Sequence, residues 1–234
     1  MDLILEVTRQ CNLKCAHCLR GDAQNINISR EIVRKVFESI DYANSLVLTG
    51  GEPLMVPEVL EMIIEEIDNS GFVYGAFWLA TNGCYMENFK YVIDFMLKSE
   101  LPETSGIRIS RDQYHGSFRS LKEPWNDPLK VQKVFPWIRY TDYINTVINT
   151  GRAKERKIGK RDVIENEETE ITDVYVTAKG NIHFECDMSY EDLDKPLFTL
   201  DQLEDIWLYV TQCYEECGES YPTLGGLKRY MEKI

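Results

Sequence analysis

The sequence predicts an α/β protein built on a parallel sheet, because short apolar segments alternate with amphipathic helical segments over its first two-thirds. The first two apolar segments are residues 3–7 and residues 46–48. Between them, apolar residues recur at helical spacing after Ser29, a residue type that favours helix N-caps. A chain of 234 residues, 44% of them hydrophobic, can bury one sizeable core or a domain and a half.

The same alternation continues to about residue 148. Pro57 begins a helix and Gly71 is placed to end it, since proline favours the first helical position and glycine the position after the last. The further elements that we expect, in order, are a strand at 76–80, a helix that buries Tyr91, Val92, Phe95 and Met96, a strand at 106–110, a short helix at 127–135 and a strand at about 143–148.

The pattern changes after Gly151. Residues 152–161 are rich in lysine and arginine and an acidic run follows, which predicts a loop rather than a core element. Such a loop is either solvated or binds an acidic substrate, a leader peptide or a phosphate. Strand-like segments at 174–177 and 182–184 flank a tight turn and predict a hairpin.

A helix is predicted near the C-terminus. Thr199 and Gln202 have the spacing of a capping box, in which each side chain bonds the other residue's backbone. The residues that this helix would bury are Leu203, Ile206, Trp207 and Val210.

Charge and composition exclude several classes of function. The chain has 39 acidic and 26 basic side chains, a formal charge of −13, so general binding to nucleic acid or to an anionic membrane is disfavoured. Residues 3–7 are short, contain Glu6 and lack a basic flank, so they predict neither a signal peptide nor a membrane span. Seven cysteines, three of them clustered, suit metal binding in a reducing compartment, and we expect the protein in the cytoplasm.

Cys11, Cys15 and Cys18 are the strongest candidates for metal ligands. Thiolates favour soft metal centres, and a four-iron four-sulfur cluster normally takes four cysteines, so three close cysteines predict a cluster with one open iron. The alternative is a structural zinc site completed by His17 or by a distant cysteine.

A second motif follows the second predicted strand. Residues 45–49 are a mainly apolar run that ends at Gly50, Gly51 and Glu52. This pattern is typical of a buried strand that stops at a tight loop, which exposes backbone groups and a carboxylate. A ligand with an amino group would fit there.

With these two motifs in this order, the chain resembles the radical S-adenosylmethionine (radical SAM) superfamily, whose signature is CxxxCxxC after the first barrel strand and a GGE-type motif at the end of the second. The resemblance implies a partial (β/α)6 TIM-like barrel over residues 1–177. Residues 178–234 would then form a C-terminal extension of a β-hairpin and a helix.

The resemblance also implies the cofactors and their ligands. In this superfamily the three cysteines hold a 4Fe-4S cluster, and the methionyl amino and carboxyl groups of S-adenosyl-L-methionine chelate its fourth iron. Gly50, Gly51 and Glu52 would receive the amino group, and His17 would lie beside the adenine.

Further cofactor contacts are implied at the ends of later strands, where barrels bind their ligands. Asn82 belongs to a Thr-Asn-Gly turn that lies near the cofactor in similar proteins; the alternative is an ordinary turn. Ser110 and Asp112 are candidates for the ribose, and Arg111 or Arg119 for the carboxylate. His115 either relays a proton, binds substrate or is simply solvated.

The C-terminal extension resembles the SPASM or twitch extensions of peptide-modifying radical SAM enzymes, because Gly180 begins a hairpin that leads to Cys186. Those extensions bind auxiliary iron–sulfur clusters. Cys186, Cys213 and Cys217 are candidate ligands of one auxiliary cluster, with Cys84 or another group as the fourth. Too few cysteines remain for a complete SPASM domain with two auxiliary clusters. If the extension binds no cluster, these cysteines are small buried hydrophobic residues.

The implied activity is reductive cleavage of S-adenosyl-L-methionine to a 5′-deoxyadenosyl radical, which abstracts a hydrogen atom, with a flavodoxin or ferredoxin-like protein as electron donor. The hairpin favours a peptide or protein substrate. The alternatives are a nucleotide-like or other small metabolite and the activation of a glycyl-radical enzyme. A structural zinc-binding protein is the remote alternative, since zinc gives no reason for the second motif.

Overall fold

A computed structural model describes residues 1–98, 105–110, 112–115, 127–141, 144, 146–162, 166–217 and 222–234. Its strands are β1 (Asp2–Thr8), β2 (Tyr42–Ala43), β3 (Ser45–Gly50), β4 (Val73–Tyr74), β5 (Phe77–Thr81), β6 (Gly106–Ser110), β7 (Ile138–Thr141), β8 (Asp173–Val176), β9 (Asn181–His183) and β10 (Phe198–Thr199). Its helices are α1 (Arg30–Ser39), α2 (Pro57–Ser70), α3 (Phe89–Lys98), α4 (Pro128–Val134), α5 (Gly151–Glu155), α6 (Tyr190–Leu193), α7 (Leu203–Cys217) and α8 (Leu224–Met231).

The main sheet contains the parallel strands that the alternating pattern predicts. Its order is β10-β9-β8-β1-β3-β5-β6-β7, and all neighbours from β8 to β7 pair in parallel. Strands β9 and β10 continue the sheet beyond β8 with antiparallel pairing. The predicted fold class, a partial barrel of six parallel strands followed by a hairpin and a helix, is confirmed. The division at residue 177 stays a prediction.

Helix boundaries follow the local signals in the sequence. The Ser29 side chain accepts a hydrogen bond from the backbone nitrogen of Ile32 and caps α1. Pro57 is the first residue of α2, and Gly71 ends that helix at a φ of 74°, a conformation that glycine adopts without steric cost. Thr199 and Gln202 form the predicted capping box.

Side-chain alternation along β1 separates the hydrophobic core from the barrel interior. Leu3, Leu5 and Val7 are fully buried in the core that the sheet shares with helices such as α1 and α2. Ile4 points to the other face and lines an interior cavity, and Glu6, two residues further along the strand, is fully buried on that same face. Every second residue of β1 therefore belongs to the interior of the barrel.

Several local predictions are wrong. The fifth parallel strand is β7, which comes before the predicted segment at 143–148; among the described residues of that segment, Ile148 forms an isolated bridge with Arg161. The short helix α4 turns directly into β7, so the strand comes earlier than the apolar run suggested. The basic segment is not a loop throughout, since its first residues form α5 and bury Arg152 and Ala153. Two side chains that were predicted to be buried are not: Trp207 on α7 is only partly buried, and Tyr91 on α3 is exposed.

No helix in the described ranges has both the length and the apolar character that a membrane span requires.

Candidate active site

One interior cavity brings the two sequence motifs together. It has a volume of about 360 Å³ and lies where β1, β3, β5 and β6 end at their carboxyl ends. All three cysteines of the first motif line it, and so do Gly50 and Gly51. The arrangement matches the rule that parallel barrels bind ligands at the carboxyl ends of their strands.

The glycines are needed because two backbone segments touch here. The backbone nitrogen of Gly51 donates to the carbonyl of Thr8 (2.7 Å), and that of Glu52 donates to the carbonyl of Gln10 (2.7 Å). A Cβ atom at Gly50 would lie 2.2 Å from the Thr8 oxygen, and one at Gly51 would lie 2.1 Å from the Gln10 oxygen. The second motif is thus the surface on which residues 9–22 pack, and we call this segment, which contains the three cysteines, the cysteine loop.

Glu52 has a different place from the one that the sequence suggested. It is fully buried and is not among the residues that line the cavity. Its carboxylate accepts hydrogen bonds from the backbone nitrogens of Leu54 (3.0 Å) and Asn82 (2.6 Å) and from the Thr81 hydroxyl (2.6 Å). Burial raises the pKa of this carboxyl to about 7, against the lowering effect of those bonds. Its side chain therefore ties β3 to the end of β5.

Asn82 is held at the cavity by these contacts. Its side-chain nitrogen donates to the side-chain oxygen of Asn12 (2.9 Å) and lies 4.0 Å from the sulfur of Cys11. The Thr-Asn-Gly turn therefore supports the cysteine loop directly, and Asn82 also lines the cavity.

Arg152 is a site residue that the sequence did not reveal. It is buried, and its guanidinium donates to the carbonyls of Cys15 (3.0 Å) and Gly21 (2.7 Å) and to the carboxylate of Asp22 (2.9 Å). Its backbone nitrogen donates to the carbonyl of Cys18 (2.9 Å). One side chain from α5 therefore holds the cysteine loop at several points, although its sequence context is a run of basic residues.

The three thiols suit a bound metal cluster. None of them is in a disulfide, and each is partly buried. Burial raises the pKa of Cys11 and raises that of Cys15 to about 12, so both are protonated when no metal is bound. A metal would displace those protons, because thiolates are the ligating form.

Aromatic rings form the wall beside Cys18. The His17 ring stacks on Tyr114 with centroids 4.7 Å apart and meets His115 edge-on at 4.8 Å. Burial lowers the pKa of His17 to about 4, with a smaller effect from His115, so His17 is neutral at neutral pH. Its Nδ1 atom is buried without a hydrogen-bond partner in the described part of the chain.

Of the two ribose candidates, the structure brings one to the cavity. Ser110 lines it, whereas Asp112 is buried behind it and accepts a hydrogen bond at 2.7 Å from the Nδ1 atom of His115. His115 itself lines the cavity. Arg111 and Arg119 lie outside the described residues.

The candidate auxiliary ligands are in different places. Cys186 lines the cavity of the first motif, whereas Cys213 is on α7, which packs against α1 and α8. Among the described residues, the close groups of three or more potential metal ligands are His17–Asp112–His115 and Glu185–Cys186–Asp187, and neither includes Cys213. Cys217 is the last residue of α7, and its side chain is not described. An auxiliary cluster stays a prediction.

Comparison with known proteins agrees with the cysteine motif. Residues 4–101 match the family model of a 4Fe-4S single cluster domain. This match covers the cysteine motif and the two glycines. No curated protein matches the chain.

A comparison with solved structures matches this chain to the following proteins. The structure of BtrN in complex with AdoMet and 2-DOIA is 14% identical, with 88% of this chain and 81% of that chain covered and a TM-score of 0.52. Native anSMEcpe with bound AdoMet and Cp18Cys peptide is 11% identical over 99% and 94%, with a TM-score of 0.45. Streptococcus suis SuiB bound to precursor peptide SuiA is 14% identical over 97% and 70%, with a TM-score of 0.36.

Of these three, the first is similar enough to establish a shared fold. The match to the 4Fe-4S model and the cavity both include the three cysteines of the first motif and the two glycines of the second.

Proposed function

We propose that this protein is a radical SAM enzyme that reductively cleaves S-adenosyl-L-methionine at a 4Fe-4S cluster and abstracts a hydrogen atom from its substrate. The observation that carries this proposal is the single cavity lined by Cys11, Cys15, Cys18, Gly50 and Gly51. Zinc gives no physical reason for a glycine pair built so closely against the cysteine loop.

The residues at the cavity have distinct roles in this proposal. The three cysteines hold the cluster, and the exposed backbone at Gly50 and Gly51 receives the methionyl amino group. Ser110 and Asn82 contact the cofactor, and the His17 ring lies beside its adenine. Glu52 and Asp112 act through the groups that they hold in place.

Held by Cys11, Cys15 and Cys18, a 4Fe-4S cluster would supply the electron for reductive cleavage of S-adenosyl-L-methionine to methionine and a 5′-deoxyadenosyl radical. The protein's part is to orient the reacting groups and exclude water from the cavity. Ile4, Val47 and Ala80 contribute apolar side chains to the cavity wall, which favours the exclusion of water.

A peptide or protein is the proposed substrate. The support is the hairpin of β8 and β9, which leads to Cys186 at the wall of the cavity, as the resemblance to peptide-modifying enzymes implies. A flavodoxin or ferredoxin-like protein would supply the electron. The free cysteines suit the cytoplasm, where thiols stay reduced.

The test is anaerobic reconstitution with iron and sulfide, chemical reduction, and measurement of 5′-deoxyadenosine and methionine. Formation of both products without any substrate would support the radical chemistry, whereas a colourless, zinc-loaded protein would refute it. Added peptide and metabolite pools then separate the substrate classes. Turnover that depends on metabolites and not on peptides would favour a small-molecule enzyme.

A further inference from the structure

Arg20 forms part of the cavity wall opposite the glycine motif. Its Nη1 atom donates to the carbonyl of Met188 (2.8 Å), and its Nη2 atom donates to the hydroxyl of Tyr175 (2.9 Å). The guanidinium carbon lies 4.9 Å from the centre of the Tyr175 ring. Arg20 also lines the cavity itself. A cation is therefore fixed at the wall by contacts with neutral groups.

The acids near Arg20 are paired with other cations. Glu6 binds Arg9 at 2.9 Å, and both side chains are fully buried. The Tyr175 hydroxyl donates to Glu6 (3.2 Å) and separates that carboxylate from Arg20. Asp187, which lines the same cavity, lies 3.4 Å from Arg161. Within the described part of the chain, Arg20 has no ion pair.

A guanidinium has more N–H groups than these two bonds use. The Nε atom of Arg20 has no hydrogen bond in the described part of the chain and is not among the buried atoms that lack a partner, so its N–H group is not sealed inside the protein. Removing a cation from water without an opposite charge is costly, and a planar guanidinium matches a carboxylate in two-point geometry. The cavity thus offers a charged site for an anionic group.

We propose that Arg20 binds a carboxylate of the substrate, such as the C-terminus or an acidic side chain of a peptide. This assignment rests on the proposed function, which places the cofactor along Gly50, Asn82 and Ser110 at the ends of β3, β5 and β6. Arg20 contacts Tyr175 on β8, on the other side of β1. The alternative is that Arg20 binds the carboxylate of S-adenosyl-L-methionine instead.

The test uses the reconstituted enzyme loaded with S-adenosyl-L-methionine and a matched pair of probes, N-acetylglycine and N-acetylglycinamide. Saturation-transfer NMR titrations should show that the wild type binds the acid at least about tenfold more tightly than the amide. Arg20→Gln should lose this preference. Arg20→Lys should keep part of it, because lysine retains the positive charge but lacks the planar guanidinium that binds a carboxylate at two points. Arg156→Gln, an exposed change of equal charge, should keep it in full.

Three results would overturn the proposal. The first is equal binding of both probes by the wild type, and the second is an unchanged preference in Arg20→Gln. The third is a tenfold loss of affinity for S-adenosyl-L-methionine in Arg20→Gln with no change for the decarboxylated cofactor, which would assign Arg20 to the cofactor. Equilibrium dialysis measures both affinities.

The radical chemistry and the carboxylate site at Arg20 can each be refuted without the other. A wild type that prefers the acid but forms no 5′-deoxyadenosine on reduction would refute the radical chemistry and retain the carboxylate site. Iron content and circular dichroism are compared for all variants. Should Arg20→Gln lose its iron, Arg20→Lys carries the test, and a full acid preference in that folded variant would contradict two-point binding.

Discussion

The two walls of the cavity are built in different ways. The wall that would hold the cluster depends on backbone contacts, since Gly51 and Glu52 donate to carbonyls of the segment that precedes Cys11. The opposite wall depends on long-range side-chain contacts, such as those of Arg20 with Met188 and with Tyr175. Close contact between two backbones requires glycine at fixed positions, which is visible as a sequence motif. A side-chain contact between residues far apart in the chain produces no such motif.

The largest expected effect tests the backbone contact. Gly51→Ala places a Cβ atom 2.1 Å from the Gln10 carbonyl oxygen, so the loop must move. We expect the free energy of unfolding to fall by about 3 kcal/mol or more, with loss of bound iron after reconstitution. Urea unfolding of the metal-free protein and iron analysis measure the two effects.

Gly71→Ala is the matched control. Glycine has a φ of 74° there, and an added Cβ would meet no atom within 4 Å. Only the backbone conformation is penalised, at about 1–2 kcal/mol. Equal losses in the two variants would contradict a special role for the close approach at Gly51.

Glu52 predicts a pH dependence of stability. Its pKa is raised from 4.5 to about 7, so between these values the folded protein keeps a proton that the unfolded chain releases. Stability must therefore fall as the pH rises through this window, by about 3 kcal/mol for this group.

Urea unfolding of the metal-free protein at about pH 5 and about pH 8 tests this expectation. Glu52→Gln cannot ionise, so the variant should lose less stability between the two pH values than the wild type. The same decrease in both proteins would show that Glu52 is not the group responsible.

Arg152→Met should loosen the cysteine loop. It removes charge-assisted hydrogen bonds to Cys15, Gly21 and Asp22, at a cost of about 2 kcal/mol, and should lower the retention of iron during gel filtration. Arg156→Met, at an exposed neighbouring position, is the control. Iron retention equal to that of the control would mean that the loop holds its geometry without Arg152.

The sequence was sufficient to predict the two motifs that meet at the cluster wall, but not the arginine side chains that support the two walls. Cys11, Cys15, Cys18, Gly50 and Gly51 could be predicted to meet because they follow consecutive parallel strands. Most strands and caps were also predicted, since their signals lie within a few residues. Arg152 and Arg20 could not be identified, because their partners lie far along the chain and a basic residue has no periodic signal.

The smallest expected effect concerns an ion pair on the protein surface. Lys35 on α1 pairs with Asp201 next to the C-terminal capping box, and both side chains are largely exposed. Lys35→Ala should change the free energy of unfolding by less than about 0.5 kcal/mol, because water and salt screen such pairs. A loss above about 1 kcal/mol would show that this pair fastens the C-terminal extension to the barrel.

The most direct test of the proposed function compares the wild type with a variant in which Cys11, Cys15 and Cys18 are all replaced by alanine. After anaerobic reconstitution, the wild type should hold about four irons per chain and form 5′-deoxyadenosine on reduction, and the variant should do neither. About eight irons in the wild type and about four in the variant would indicate an auxiliary cluster in addition to the first. Iron content and 5′-deoxyadenosine formation that survive the triple substitution would contradict it.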